Sequence, residues 1–273
     1  MKIILHLGMP KTGSTFLQWD FFRYARDINF LFKKEGLKKL LMEIRNIDKD
    51  IDYEEIKQKF SQYLVNDKPN LVSEENLYCS MWDKRDDRFI LLDRIKHIFP
   101  NAKIIIGIRD KKKALVSWYK QYVAVGGTFS FDDFIDKVMN LNKLNYEPYI
   151  QKLHELFGAD NVFVFTMSDL IKNRNETVRK LCEFIGCQIP QYKVWKRNVG
   201  YGKNQLKISL FLNQFFKSEL NERGVPYPYK KFFLPHRIVF QSRLFSWIPR
   251  KKVTLHDLTS SKETLRRIDE VLT

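Results

Sequence analysis

The first fifteen residues, MKIILHLGMPKTGST, constrain the fold more than any other stretch of the chain. Most residues from Ile3 to Leu7 are apolar, which is typical of a strand buried on both faces of a parallel sheet. A loop with two glycines and a lysine follows, and residues 16–24 contain no helix breaker. The backbone N–H groups of such a loop and the positive end of a helix dipole converge on one point. The sequence therefore predicts a strand, a loop and a helix that together bind a phosphate-like group.

The position of the lysine distinguishes two kinds of phosphate-binding loop. In nucleoside-triphosphate-binding proteins the loop reads G-x-x-x-x-G-K-[ST], with the lysine directly after the second glycine. Here Gly8 and Gly13 keep that spacing, but Ser14 follows Gly13 and the lysine is Lys11, inside the loop. Residues 10–15, PKTGST, resemble the 5′-phosphosulfate-binding loop of sulfotransferases that use 3′-phosphoadenylyl sulfate (PAPS), P-K-[TS]-G-[TS]-[TS].

The resemblance implies a role for each residue of the loop. The 5′-phosphosulfate of PAPS is expected to bind Lys11, Thr12, Gly13, Ser14 and Thr15. Lys11 is also expected to neutralise charge on the departing phosphate and on the sulfuryl oxygens. The expected product is adenosine 3′,5′-bisphosphate (PAP). No metal ion is expected, because lysine and backbone donors take the place of Mg²⁺.

A second predicted strand, NLVSEENL over residues 70–77, ends in acidic residues. The carboxyl ends of parallel strands border the crevice where such sheets bind ligands. Ser73, Glu75 and Leu77 resemble an S-x-E-x-L segment of bacterial sulfotransferases, which implies that Glu75 removes the proton from the acceptor hydroxyl. Glu74 is the alternative base, although side-chain alternation along a strand lets only one of the two face the site. A structural role for both acids also stays open.

A third predicted strand, residues 103–108, ends at Arg109, and Ser117 follows eight residues later in a predicted helix over residues 111–123. This spacing resembles the 3′-phosphate site of the family, R-[DN]-x(6)-S. A guanidinium presents a planar, permanently charged fork to phosphate oxygens, and a serine hydroxyl adds a donor. A surface ion pair is the alternative for Arg109. Arg197, in a basic loop with glycines, is a third candidate contact to the 3′-phosphate, on a looser resemblance.

The remaining patterns predict the framework. Leu37, Leu40, Leu41 and Ile44 give residues 33–46 the spacing of an amphipathic helix. Further helices are predicted over residues 91–99, 149–157 and 177–185, and a fourth buried strand over residues 161–165. The predicted fold class is α/β: a three-layer sandwich with a central parallel sheet flanked by helices, which the resemblance relates to P-loop nucleotide kinases. One sulfotransferase domain over residues 1–273 is expected, with residues 204–273 as a basic and aromatic helical extension.

Composition and charge limit the class of partner. The net charge of +16 favours polyanionic partners, but no nucleic-acid-binding motif is present, so no nucleic acid is expected. Residues 229–252 contain seven basic residues, several aromatic residues and no acid. This stretch predicts either peripheral contact with an anionic membrane or polysaccharide, or aromatic packing on the core. Three cysteines without metal spacing suggest a reducing compartment, and we expect a cytoplasmic enzyme of bacterial type.

The expected function is transfer of a sulfuryl group from PAPS to a hydroxyl or amine, with a carbohydrate as the favoured acceptor. Two other functions stay open. A small-molecule or nucleotide kinase would need a lysine after Gly13 and a magnesium-binding acid, and Ser14 argues against it. The other is a non-enzymatic basic protein that binds polyanions or membranes.

Overall fold

A computed structural model of the protein describes residues 1–194, 200–226, 240 and 251–273. Its centre is a parallel sheet of five strands in the order β2-β3-β1-β4-β5. The strands are β1 Ile3–Leu7, β2 Asn29–Leu31, β3 Asn70–Glu74, β4 Lys103–Ile108 and β5 Val162–Thr166. Helices flank this sheet, so the predicted α/β fold with a central parallel sheet is confirmed.

The helices connect the strands and cover the sheet. In chain order they are α1 Ser14–Phe16, α2 Glu35–Arg45, α3 Tyr53–Ser61, α4 Arg88–Ile98, α5 Lys111–Ala124, α6 Phe131–Lys137, α7 Glu147–Phe157, α8 Met167–Lys172, α9 Arg174–Ile185, α10 Lys203–Asn213 and α11 Lys262–Leu272. α1 continues into a π-helical segment, Leu17–Phe21, and a 3₁₀ turn, Phe22–Tyr24. Further 3₁₀ helices cover Glu75–Leu77, Leu141–Leu144, Ala159–Asn161 and Leu255–Asp257.

β1 lies at the centre of the sheet because its residues, apart from His6, are apolar. Ile4, Leu5 and Leu7 are fully buried. β3 pairs with one edge of β1, with Leu7 opposite Glu74, and β4 pairs with the other edge. Because β1 and β3 are parallel, the loop after β1 and the turn after β3 both begin at the carboxyl ends of their strands and lie side by side.

β2 was not predicted from the sequence. It has three residues, too few to show an alternating pattern, and it pairs with β3 at the edge of the sheet. Asn29 Nδ2 donates to Asn70 Oδ1 and to Tyr63 O, each at 2.8 Å. Side-chain hydrogen bonds thus add to the backbone pairing of this short strand.

The chain divides into two compact units. The first comprises Met1–Ser80, Arg85–Arg109 and Asn145–Trp195 and contains the whole sheet. The predicted apolar face of helix α2 is confirmed, because Leu37, Leu40, Leu41 and Ile44 are all buried. On one face of the sheet, Ile4, Leu71 and Ile105 share a core with residues that follow the β1 loop and with α9.

The second unit comprises Met81–Lys84, Asp110–Leu144 and Lys196–Thr273. α5 packs on α10, where Asn213 Nδ2 donates to Val123 O and Gly127 O, each at 2.8 Å. Most of the basic and aromatic stretch over residues 229–252 lies outside the described residues. The predictions of one domain over the whole chain, of a C-terminal extension and of a cytoplasmic location stay predictions. Among the helices in the described ranges, none is long and apolar enough to span a membrane.

Candidate active site

The loop after β1 is closed by its own hydrogen bonds. Thr12 Oγ1 donates to Met9 O at 2.6 Å, and Gly13 O accepts from the backbone N–H of Phe16 at 2.9 Å. Arg109, directly after β4, donates from Nη1 to Lys11 O at 3.3 Å. These bonds hold the backbone of the loop in one shape before any ligand binds.

Two residues of the loop have left-handed backbone conformations. φ is 71° at Lys11 and 98° at Gly13. A β-carbon at Gly13 would lie 2.5 Å from Leu170 Cδ2 and 3.2 Å from Met167 Sδ. Gly13 is therefore required both by its conformation and by the close approach of α8.

Gly8 brings the loop and the turn after β3 together. A β-carbon at Gly8 would lie 2.9 Å from Glu75 Cγ and 2.9 Å from Ser14 Oγ. Ser14 is buried, and its Oγ lies beside the Glu75 side chain without a hydrogen bond of normal geometry to it or to any other described group. The Ser14 hydroxyl lowers the pKa of Glu75 as a weak donor to its carboxylate, and a bound anion would be a second acceptor for it. The loop thus fits the phosphosulfate group that the sequence predicts for it.

Glu74 and Glu75 are not neighbours on one strand, and this part of the prediction is wrong. β3 ends at Glu74, and Glu75 begins the 3₁₀ helix Glu75–Leu77. Glu74 Oε1 accepts from the backbone N–H of Asn76 at 3.1 Å and from Asn76 Nδ2 at 2.8 Å. Glu74 therefore caps the turn, whereas Glu75 faces Gly8 and Ser14. Alternation along a strand does not separate their roles, but their hydrogen bonds do.

The environment of Glu75 makes its carboxylate a stronger base. Burial raises the pKa of Glu75 above its usual value, and the positive charge of Lys11 opposes the rise without cancelling it. A carboxylate with a raised pKa takes a proton more readily at neutral pH. At neutral pH, Glu75 therefore takes up a proton more readily than an exposed glutamate does.

A cavity of about 630 Å³ borders Glu75. Its wall includes Trp19, Phe32, Lys33, Lys38, Glu74 and Glu75. The rings of Trp19 and Phe32 meet edge to face, with 5.5 Å between their centroids. Volumes of this size are common for small-molecule sites.

His6 supports the wall of this cavity from within the sheet. The His6 ring nitrogen Nδ1 and Ser73 Oγ are 2.7 Å apart, and Gln18 Nε2 donates to Ser73 Oγ at 2.9 Å. Gln18 in turn lines the cavity. Burial lowers the pKa of His6 to about 4, so its ring is neutral at pH 7. The His6 ring is therefore a weak base, fully buried and held in the packing of the sheet.

Comparison with known proteins identifies the family. Residues 2–200 match the model of the sulfotransferase domain family. The chain belongs to that family. A sulfotransferase from Alicyclobacillus acidocaldarius aligns over 78% of this chain and 93% of its own, with 14% identity and a TM-score of 0.50. Mouse sulfotransferase SULT7A1, solved as a complex with PAP, aligns over 99% of this chain and 82% of its own, with 14% identity and a TM-score of 0.47. No curated protein matches the sequence.

The structure places the other predicted site residues of this sulfotransferase as follows. Arg109 lies at the carboxyl end of β4, beside the loop, whose Lys11 carbonyl it contacts. Ser117 lies on α5 in the second unit and is partly exposed. Arg197 lies outside the described residues. The pairing of Arg109 with Ser117 and the contribution of Arg197 therefore stay predictions.

Thr12 is predicted to bind the 5′-phosphosulfate, and the structure shows which of its groups is available for this. Its hydroxyl is fully buried and bonded to Met9, so its backbone N–H is the group left to bind an anion. Within the described residues, no cluster of three or more His, Cys, Asp or Glu side chains could hold a metal ion.

The sequence analysis did not single out Trp19, Phe32 or Lys33 as residues of the sulfotransferase site. Trp19 falls in a predicted helix and Lys33 at the start of another, where aromatic and basic residues are ordinary. Lys33 has a left-handed backbone conformation, with φ at 54°. Neither the lysine nor its neighbours in the sequence indicate this conformation. No motif marked these residues.

Proposed function

We propose that this sulfotransferase moves a sulfuryl group from PAPS to a hydroxyl group of a carbohydrate. The observation that carries the proposal is the convergence of Ser14 Oγ and the Glu75 side chain over Gly8, with Lys11 in the same loop. This arrangement sets a buried anion site directly beside a base. Sulfuryl transfer to a hydroxyl requires both.

The loop supplies the donor side of the site. Lys11, Ser14 and Thr15 and the backbone N–H groups of Thr12 and Gly13 would bind the 5′-phosphosulfate. Arg109, Ser117 and Arg197 are proposed to bind the 3′-phosphate, on the resemblance alone for the last two. The geometry at Arg109 supports its part, because its guanidinium already lies against the loop.

PAPS supplies an activated sulfuryl group. Glu75 accepts the proton of the acceptor hydroxyl as that oxygen bonds to sulfur. The bond from sulfur to the bridging phosphate oxygen breaks, and the electron pair stays with the phosphate of PAP. Lys11 neutralises the negative charge that grows on this oxygen and is most useful in the transition state. In this proposal Glu75 takes the proton, and Lys11 stabilises the charge on the leaving oxygen.

The cavity beside Glu75 supports a carbohydrate acceptor. Trp19 and Phe32 give it an aromatic wall, and sugar rings bind such walls through their C–H faces. Glu74, Glu75 and Asn76 line the same cavity and offer acceptors and donors for hydroxyl groups. A purely apolar acceptor would leave these polar groups without partners.

The test is transfer of labelled sulfate from PAPS to a panel of glycosides, phenols and amines. We expect sugars to be the best acceptors and calorimetry to show much tighter binding of PAP than of AMP or ATP. Equal affinity for the three nucleotides would contradict the 3′-phosphate site. Transfer to phenols alone would contradict the carbohydrate assignment while leaving the donor site intact.

Association of residues 229–252 with an anionic membrane or polysaccharide is a separate proposal. It rests on the charge and aromatic content of that stretch. Vesicles with and without anionic lipid, in a sedimentation assay with the whole protein, would test it, and equal sedimentation with both would contradict it.

A further inference from the structure

Lys33 has an unusual backbone for a lysine at the surface. Among the non-glycine residues in the described ranges, only Lys11 and Lys33 have positive φ angles, 71° and 54°. Such conformations are unfavourable for residues with a β-carbon and occur often where a side chain must be held for a ligand. Lys11 belongs to the loop that would bind PAPS. Lys33 lies in the wall of the cavity that Glu75 also lines.

Both lysines act on the same carboxylate. Burial raises the pKa of Glu75, whereas Lys11 and, more weakly, Lys33 lower it. Two positive charges therefore lie within electrostatic reach of Glu75, one on the loop that would bind PAPS and one on the cavity wall. The first has a function in the proposed transfer, and the second has none yet.

The Lys33 ammonium group is held by rings and not by an acid. Its Nζ lies 4.7 Å from the centroid of the Trp19 ring and 5.2 Å from that of Phe32. A cation over aromatic faces is oriented while it keeps its charge available to a ligand. Among the described residues, no carboxylate forms an ion pair with Lys33 or with Lys38 on the same cavity wall. On α3, by contrast, Lys57 and Lys59 pair with Glu54 and Glu55.

We propose that the acceptor is an acidic sugar, whose carboxylate or sulfate group binds Lys33 and Lys38. Its ring lies against Trp19 and Phe32, and one hydroxyl faces Glu75. The negative charges of Glu74 and Glu75 disfavour an anionic group beside them, so the acidic group and the reacting hydroxyl occupy different ends of the cavity. This inference rests on the proposed function, since it gives the substrate class of the same site.

The first experiment compares phenyl β-glucuronide with phenyl β-glucoside as acceptors for the full chain with PAPS. The two differ only in a carboxylate against a hydroxymethyl group. We expect kcat/KM to be about tenfold higher for the glucuronide, as for one charge-assisted contact. A glucoside 6-sulfate in the same assay separates a preference for carboxylate from one for sulfate.

The second experiment assigns the preference to the lysines. Lys38→Gln should raise the KM for the glucuronide about tenfold and leave the KM for the glucoside nearly unchanged, and Lys33→Gln should raise the KM for the glucuronide about tenfold more than that for the glucoside. Lys39→Gln is the matched control, because Lys39 is exposed on α2 but does not line the cavity. An equal effect of Lys33→Gln on both acceptors, or equal kcat/KM for both in the unaltered protein, would overturn the proposal.

Calorimetry keeps the inference separate from the proposed transfer. Binding of the glucuronide is measured with and without PAP, in the unaltered protein and in Lys33→Gln. Binding that Lys33→Gln weakens supports the acidic-sugar site even if no acceptor is sulfated, in which case the proposed transfer is what fails. No binding of either glycoside or of the sulfate would overturn the acidic-sugar site, whatever the activity towards other acceptors.

Discussion

The two sides of Glu75 are built in different ways. The donor side is one continuous segment, Gly8–Thr15, whose shape is fixed by backbone hydrogen bonds and by glycines with no room for a β-carbon. The proposed acceptor side is the cavity wall, which consists of the π-helical segment after α1, residues 32–41 and the turn after β3, and which also includes Thr15 of the loop. Its shape depends on side chains such as Trp19 and Phe32. A rigid loop suits one invariant ligand, whereas a side-chain wall can change its substrate by substitution.

The largest expected loss of turnover is at Glu75, which lies between the two sides. Glu75→Gln removes the proton acceptor, so acceptor-dependent turnover should fall by about 10²–10⁴-fold, while PAP affinity stays unchanged. Glu74→Gln is the matched control and should be mild, since an amide oxygen can still accept from Asn76. Turnover of both variants with one acceptor is the measurement. Should Glu74→Gln be the inactive variant, the assignment of the base is reversed.

Lys11→Ala tests the donor side. Because its charge is most useful as the bridging bond breaks, kcat should fall by about 10²-fold for every acceptor, with PAP affinity changed much less. Lys33→Gln should instead raise KM, and more for acidic acceptors than for neutral ones. If turnover of Lys11→Ala stays within about tenfold of the unaltered protein, corresponding to roughly 1.4 kcal/mol, Lys11 does not stabilise the transition state.

Acidic solution should inhibit the enzyme by protonating Glu75. Burial raises the pKa of Glu75 above its ordinary value of 4.5, and the proton acceptor must be ionised to work. Activity is therefore full above the raised pKa and falls about tenfold per pH unit below it. A profile of kcat/KM against pH should show an acidic limb centred above 4.5, and Glu75→Gln should lack it. A limb that persists in this variant belongs to another group.

Gly13→Ala should weaken PAP binding by distorting the backbone of the loop. The φ of 98° disfavours alanine by about 1–2 kcal/mol, and the overlap with Leu170 adds to this. Gly158→Ala is the matched control, because Gly158 also has a positive φ, 83°, but its added β-carbon would meet no atom closer than 3.8 Å. Both variants should lose stability in urea, and only Gly13→Ala should lose PAP affinity. Unchanged PAP affinity in Gly13→Ala would show that the loop tolerates rearrangement.

The smallest effect is expected on the acceptor side. Trp19→Leu removes one aromatic face, which should raise the KM of a glycoside acceptor about three- to tenfold and leave PAP affinity unaltered. Phe211→Leu, at an exposed aromatic residue on α10, is the control and should change neither. A loss of PAP affinity in Trp19→Leu would mean that the two sides are coupled.

The same contrast explains what could be predicted from the sequence. The loop was predictable because all its determinants are adjacent: an apolar strand, two glycines at a fixed spacing and a lysine between them. The framework was predictable where apolar periodicity was long, as in α2. β2 was missed because three residues carry no period, and the predicted second strand ran three residues too far because NLVSEENL shows no break at Glu74.

The acceptor wall was not predictable for a different reason. Its residues come from separate elements, and each is ordinary in its local context. The conformation of Lys33 and the orientation of its ammonium over two rings exist only in the folded chain. Glu75 was found through a resemblance in spacing, but its separation from Glu74 depends on the 3₁₀ turn. The conformation of Lys33 and the separation of Glu75 from Glu74 therefore depend on tertiary structure.

The neutral histidine in the central strand links acidity to folding. The pKa of His6 is about 4 in the folded protein and 6.5 for an unperturbed histidine, so the unfolded chain binds the proton more tightly. The resulting loss of stability begins as the pH falls below 6.5 and reaches about 3 kcal/mol near pH 4. Urea unfolding at pH 7 and pH 5 should show it, and equal stability at both would contradict it. Protons thus act on this protein as a denaturing ligand, which binds the His6 imidazole most tightly when the central strand is unfolded.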